Sequence, residues 1–201
     1  PRQVPSDSPP NDTPSVQVMQ NGHLHAEILV RGKHWAEGDS LLTYELRVHA
    51  FRGKPWLLID YTFENQHRQF HTPVKSIFLR LPLPSSEGEK TAVEFERLDD
   101  KPIACSLSAG QDTTFTQVHE YFGRGRYDLI FDNPDGVQRF KDSRASGILK
   151  AGGSRVQVHD FWQLNPKALR VSQSHVDVFH WPDSHVRFAD LPFGMSNTMR
   201  I

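Results

Sequence analysis

The sequence has 201 residues and a mass of 23.0 kDa, which is enough for one large domain or two small ones. Its 23 Lys and Arg residues nearly balance its 24 Asp and Glu residues, and this balance gives no electrostatic reason to expect nucleic acid or an anionic membrane as a partner. Apolar residues make up 37% of the chain, which excludes a disordered chain and a membrane protein. The longest apolar runs are too short for a transmembrane helix or a signal-peptide core.

The first fifteen residues have the composition of a flexible leader. They contain five prolines among Ser, Asp, Asn and Thr, and such a segment cannot bury a core. We therefore predict a leader over 1–15 and a single β-sandwich domain over 16–201. Because the chain begins without methionine, we interpret it as a fragment of a larger multidomain protein.

From residue 16 onward, apolar and polar residues alternate with a period of two, which predicts strands. The most regular run is 42–50, where the apolar residues are Leu42, Tyr44, Leu46, Val48 and Ala50. Arg52-Gly53-Lys54-Pro55 predicts a turn. The returning strand places Leu57, Ile59, Tyr61 and Phe63 on the inward face, so the two strands form a long antiparallel hairpin.

Shorter strands follow this hairpin along the rest of the chain, and another precedes it. They are predicted at 23–30, 74–81, 91–98, 114–121, 126–131, 147–150, 155–161, 169–172, 176–180 and 186–189. No segment repeats apolar residues at helical spacing over three turns, so no long helix is expected. About a dozen strands with one apolar face each predict an all-β fold, a large antiparallel β-sandwich of two packed sheets. A closed barrel is the alternative.

The metal-ligating residue types do not form a convincing site. Cys105 is the single cysteine, which excludes an internal disulfide and a Cys-rich zinc site. His23 and His25 share one strand face, but no nearby carboxylate completes a ligand set, so a solvent-facing pair is favoured over a metal site. Nucleophile-elbow, His-Glu-x-x-His and phosphate-loop motifs are absent from the sequence. We predict no metal and no cofactor.

Aromatic and basic residues are densest in the last third of the chain. The segment 159–169 contains His159, Trp162 and Lys167, and Trp181 and Arg187 follow it. Trp rings suit the C–H faces of sugars, and Lys or Arg pairs with a uronate carboxylate. The alternative for Trp162 is a place in the core. From the residues alone, the hypothesis is a β-sandwich that binds sugar.

Three stretches resemble the central β-sandwich of the exo-acting rhamnogalacturonan lyases, the YetA-like group, over roughly 16–201. The first comprises 30–34, 42–56 and 60–65, and the second is Ile77-Phe78-Leu79-Arg80-Leu81-Pro82-Leu83. The third is 159–169 with Trp181-Pro182 and Gly194. Asp160-Phe161-Trp162-Gln163 with Pro166-Lys167 is the most specific part of the resemblance.

The resemblance implies a small N-terminal barrel before the sandwich and an α/α toroid after it. It also implies β-elimination at the end of a rhamnose–uronate backbone, which needs a cation for the uronate carboxylate, a base and an acid. Without the toroid, the isolated chain is expected to be inactive. One motif departs from the family pattern, because Asn197, Met199 and Arg200 stand where Lys, His and Glu are expected, which puts the substrate or the activity of the parent protein in doubt.

We predict His159, Trp162, Lys167, Trp181 and Arg187 as the substrate-binding residues. Catalytic residues are left unassigned. The expected partner is an oligo- or polysaccharide that contains uronic acid, and neither nucleic acid nor a membrane is expected. The alternatives are a non-catalytic carbohydrate-binding module and a structural sandwich without a sugar ligand. The sequence encodes no compartment, although a glycan substrate favours a secreted or periplasmic location.

Overall fold

The computed structural model describes residues 13–36, 39–66, 71–84, 90–120, 126–164, 166–182, 189–192 and 194–201. In this part of the chain the structure is all-β, with seventeen strands and no helix. The strands are β1 (Ser15–Asn21), β2 (His25–Ala36), β3 (Asp39–Phe51), β4 (Leu57–Glu64), β5 (His71–Val74), β6 (Ile77–Pro82), β7 (Thr91–Arg97), β8 (Ile103–Leu107), β9 (Asp112–Glu120), β10 (Arg126–Asn133), β11 (Gly136–Phe140), β12 (Ala145–Ala151), β13 (Ser154–Gln157), β14 (Lys167–Ser172), β15 (His175–Trp181), β16 (Ala189–Pro192) and β17 (Ser196–Arg200).

The predicted all-β, antiparallel β-sandwich is confirmed. The described residues contain more strands than the predicted dozen, because several short strands lack a readable alternation. The chain divides into two compact units, of which unit 1 comprises the residues up to Val74 and from Asp190 onward, and unit 2 is Lys75–Ala189. The predicted leader over 1–15 and single domain over 16–201 stay predictions. No helix among the described residues is long and apolar enough to cross a membrane.

Unit 1 contains a five-stranded antiparallel sheet in the order β1-β2-β3-β4-β17, and β16 pairs with β5. Its centre is the predicted hairpin, in which Tyr44 lies opposite Phe63 and Leu46 opposite Tyr61. The turn is closed by a hydrogen bond from the Lys54 amide to the Phe51 carbonyl (3.1 Å). The register places the alternating apolar residues of both strands on one face, as the sequence predicted. The prediction was wrong for Leu57 at the start of β4, which is 56% exposed.

The two faces of this sheet differ in charge. One face carries a network of ion pairs in which Arg47 contacts Glu45 (2.6 Å) and Glu27 (2.8 Å), while Arg200 contacts Asp60 (2.7 Å). The other face carries the apolar residues of the hairpin. Successive side chains of a strand point to opposite faces, so the period of two in the sequence separates the charged and apolar residues.

Unit 2 is a sandwich of a six-stranded sheet, β11-β10-β9-β14-β15-β6, and a four-stranded sheet, β13-β12-β7-β8. Stacked aromatic rings join the two sheets, because Phe95 of β7 lies 4.4 Å from Phe115 of β9. Phe115 also stacks on Phe131 (4.7 Å), and Phe161 meets Phe95 edge-on (5.8 Å). All four rings are at most 3% exposed, and they form the centre of the core.

Candidate functional site

Polar residues interrupt the apolar inner face of the six-stranded sheet in unit 2. Leu129, Gln117 and Lys167 lie directly opposite one another on neighbouring strands, and His180 continues the series on β15. Directly opposite residues share a face, and Gln117 shares the face of Phe115, which packs against the other sheet. We call Gln117, Lys167 and His180 the buried row, since they are 0%, 1% and 5% exposed.

Within the buried row, the side-chain amide of Gln117 forms hydrogen bonds with three backbone groups. Its Nε2 donates to the carbonyl oxygens of Asp128 (3.0 Å) and Ser143 (3.1 Å), and its Oε1 accepts from the amide of Ala145 (2.8 Å). Ala145 begins β12, so these bonds tie the six-stranded sheet to the four-stranded sheet. A fully satisfied buried amide of this kind serves the fold.

Lys167 and His180 form a buried pair of bases. The Lys167 Nζ lies 3.2 Å from the His180 Nδ1. Burial lowers the pKa of Lys167 to about 8, and the carboxylate of Asp160 opposes that shift. Burial, and then the charge of Lys167, lowers the pKa of His180 to about 3. At neutral pH the imidazole is therefore uncharged, and its unprotonated nitrogen accepts a hydrogen bond from the Lys167 amine.

An aromatic and cationic cluster lies beside the buried row. His119 lies two residues after Gln117 on β9, and Tyr127 lies two residues before Leu129 on β10. The two residues are directly opposite each other, and their ring centroids are 4.7 Å apart. Trp162 meets Tyr127 edge-on at 5.3 Å. The Arg144 guanidinium lies over the rings of Trp162 (4.8 Å) and Tyr127 (5.6 Å). We call Tyr127, Arg144 and Trp162, with His119, the rim cluster.

Arg144 differs from most arginines of this structure because it has an aromatic partner and no acidic one. It is exposed, and among the described residues no carboxylate pairs with its guanidinium. A guanidinium stacked on a ring keeps the N–H groups at its edge available for hydrogen bonds. The rim cluster therefore presents an unpaired cation together with aromatic rings.

A tightly constrained turn positions Trp162. The Leu164 amide donates to the Asp160 carbonyl (2.9 Å), and Asp160 has a left-handed backbone with φ 52°. Before this turn, the Val158 amide donates to the Gly147 carbonyl (2.9 Å). Gly147 has φ 81°, and a Cβ at this position would lie 2.3 Å from the Val158 carbonyl oxygen and 2.8 Å from the Cβ of Phe161. Only glycine fits there.

The structure brings together two of the five predicted substrate-binding residues. Trp162 is in the rim cluster and Lys167 is in the adjacent buried row. His159 is exposed and contacts neither group, and Arg187 lies outside the described residues. Trp181 lies at a register shift between β15 and β6, and its buried indole N–H has no hydrogen-bond partner in the described part of the chain.

Sequence reasoning did not single out Arg144, Tyr127, His119 or Gln117 as site residues. Tyr127 and His119 lie in predicted strands without a distinguishing neighbour, and Arg144 lies between the strands predicted at 126–131 and 147–150. Only the pairing of β9 with β10 and β14 places these residues beside Lys167. A basic residue just before a predicted strand was the single local signal for Arg144.

Unit 1 contains a second polar cluster, drawn from the first stretch of the resemblance. The His34 Nε2 and the Tyr61 Oη lie 2.9 Å apart, and the Tyr44 ring packs against His34 (4.9 Å). Burial lowers the pKa of His34 and raises that of Tyr61, so both side chains are neutral at pH 7. This pair is hydrogen-bonded and uncharged, which is typical of a satisfied core pair.

The histidines and the divergent C-terminal motif have structural partners in unit 1. His25 does not pair with His23; its Nε2 contacts the Nδ1 of His49 across β2 and β3 (3.1 Å). No group of three or more His, Cys, Asp or Glu side chains in the described residues is arranged to hold a metal ion. In the C-terminal motif, Met199 is 2% exposed and Arg200 binds Asp60.

None of the protein-family models matches the sequence, and a search of curated proteins finds no relative.

Proposed function

We propose that this chain is the β-sandwich part of a polysaccharide lyase-like enzyme that acts on glycans containing rhamnose and uronic acid by β-elimination. Its own contribution is to bind the acidic glycan at the rim cluster of unit 2. The barrel and the toroid implied by the resemblance are the further parts of such an enzyme, and the chain without them is inactive. The resemblance in 159–169 and the rim cluster support this proposal.

The observation that carries the proposal is the position of Arg144 over the rings of Trp162 and Tyr127 without an acidic partner among the described residues. An acidic sugar presents a C–H face and a carboxylate, and the rim cluster offers aromatic rings and a guanidinium for these two features. In β-elimination, pairing of the carboxylate with a cation acidifies the adjacent C–H group. Arg144 supplies such a cation.

The test is binding of a rhamnose–galacturonate tetrasaccharide, measured by calorimetry. Wild-type protein is expected to bind it, and R144Q and W162A each weaken binding by about tenfold or more, because each removes a principal contact. R155Q is the matched control, since Arg155 is an exposed arginine on β13 and outside the rim cluster. Absence of wild-type binding, or equal weakening by R155Q, contradicts the proposal.

Absorbance near 235 nm separates the lyase from the alternatives, because elimination creates an unsaturated uronate. Product formed by a longer parent protein, and not by this chain alone, supports the lyase. Binding with no product from either protein favours a carbohydrate-binding module. If the glycan neither binds nor yields product, the structural sandwich is the remaining alternative.

A further inference from the structure

We propose that Lys167 is a buried cation that accepts the carboxylate of the bound acidic sugar, so that binding draws a proton onto its amine. This inference rests on the proposed function, and it adds a second, deeper anion contact to the one at Arg144. It begins from a comparison of the buried charged residues of unit 2.

Three Asp or Lys side chains in the described residues are buried, and two of them have opposite charges beside them. Asp128, 0% exposed, is bound by Arg126 (3.1 Å) and Arg139 (2.6 Å). Asp177, 2% exposed, is bound by Arg80 (2.7 Å). Lys167, 1% exposed, has no carboxylate within 4.0 Å among the described residues.

A buried charge without a partner is costly, and an apolar residue of similar volume would be cheaper for the fold. The hydrogen bond to His180 does not offset this cost, because a neutral imidazole compensates no charge. Lys167 therefore has the property of a group whose counter-charge comes from outside the chain. The carboxylate of an acidic sugar is such an anion, and it is the group that the rim cluster is proposed to bind.

The donors of Lys167 are also free for such a ligand. A protonated lysine amine has three hydrogens, and the His180 Nδ1 accepts one of them. Gln117, the neighbour on the other side, is fully engaged with backbone groups. The residues of the rim cluster follow along the same face, so a sugar held there has its carboxylate next to the buried row.

The charged and titratable groups around Lys167 set the pH dependence. They are His180 on β15, Asp160 in the turn that carries Trp162, and the adjacent His119, Tyr127 and Arg144. Asp160 is exposed, and its carboxylate only partly offsets the burial of the amine. Because Lys167 is 1% exposed, an incoming carboxylate must displace side chains at this end of the sandwich.

The experiment measures proton uptake on binding of the rhamnose–galacturonate tetrasaccharide and of its methyl ester, by calorimetry at pH 8 in two buffers with different ionisation enthalpies. With a pKa of about 8 in the free protein, wild-type Lys167 is expected to take up about half a proton per bound acid and none per bound ester. The acid is expected to bind about tenfold more tightly than the ester. These measurements need no variant.

K167M is expected to abolish the proton uptake and to reduce the preference for the acid over the ester to the part that Arg144 supplies, with binding of the ester unchanged. K150M is the control, because Lys150 is exposed and already paired with Glu94. Binding of the acid without proton uptake, or an unchanged preference for acid over ester in K167M, overturns the role of Lys167 and leaves the proposed function standing. If neither the acid nor the ester binds, the proposed function is overturned, and the role of Lys167 is overturned as well.

Discussion

The two faces of the six-stranded sheet in unit 2 use polar residues in opposite ways. On the outer face, Asp132, Thr114, Arg170, Asp177 and Arg80 form a ladder across five strands, in which Arg80 and Asp177 share two hydrogen bonds (2.7 and 2.9 Å). On the inner face, the buried row contains one cation and no anion. The outer face is balanced within the chain, whereas on the inner face Asp160 only partly offsets the burial of Lys167, and we propose that a ligand carboxylate supplies the remaining charge.

This comparison separates polar groups that maintain the fold from a group that is costly to the fold. Gln117 and Lys167 are neighbours in the buried row and are equally inaccessible, yet Gln117 satisfies three backbone groups while Lys167 has one neutral partner. Burial alone therefore does not identify a functional residue. The balance of charge and hydrogen bonds around the buried group is the better criterion.

The largest expected effect is on the structural member of the buried row. Q117L leaves two carbonyl oxygens and one amide without partners in the core, and we expect the free energy of unfolding to fall by about 4 kcal/mol. Chemical denaturation measures this loss. Q157L, at an exposed glutamine on β13, is expected to stay within about 0.5 kcal/mol of wild type. A loss below about 1 kcal/mol in Q117L would show that water replaces these hydrogen bonds.

The next effect concerns His180 in acid. Its pKa is about 3 in the folded protein and about 6.5 in the unfolded chain, so the unfolded chain binds more protons between these values. Stability is therefore lost as the pH falls through this window. From pH 6.5 to pH 4, wild-type protein should lose about 3 kcal/mol relative to H180Q, which retains an acceptor for Lys167 and does not titrate.

Denaturant unfolding at a series of pH values measures the loss at His180. H159Q is the control, because His159 is exposed, and it should follow the wild-type curve. Parallel curves for wild type and H180Q would mean that the pKa of His180 is the same in the folded and the unfolded protein. The buried row would then hold two cations in mild acid.

The smallest effect is expected on the outer ladder. R80Q removes the cation beside the buried carboxylate of Asp177, but the Arg80 side chain is 56% exposed, so solvent screens this ion pair. We expect a loss of about 1 kcal/mol in the free energy of unfolding. The loss of stability in R80Q should be smaller in high salt, because salt screens the ion pair. R155Q is the control and should show no such salt-dependent loss. A loss as large as that of Q117L would abolish the distinction between the two faces.

The central hairpin was predictable from the sequence because its side chains alternate over ten residues and its turn contains glycine and proline. The strand β8 was not predicted, since IACSL has no clear alternation, and β17 was missed for the same reason. Trp162 and Lys167 could be chosen from their residue types. The rest of the site depends on pairings between distant segments, such as Lys167 with Gln117, which no local pattern encodes.

The close approach of Gly147 to Val158 and Phe161 has a consequence for engineering. Gly147 and Asp160 adopt the left-handed backbone conformations, and the side chain of Phe161, which is 1% exposed, anchors the turn in the core. The tip that follows, Trp162 to Leu164, therefore needs neither an unusual backbone conformation nor an anchoring side chain. A library randomised at the tip, with Gly147 and Phe161 unchanged, is a direct route to variants that still fold and have an altered sugar preference.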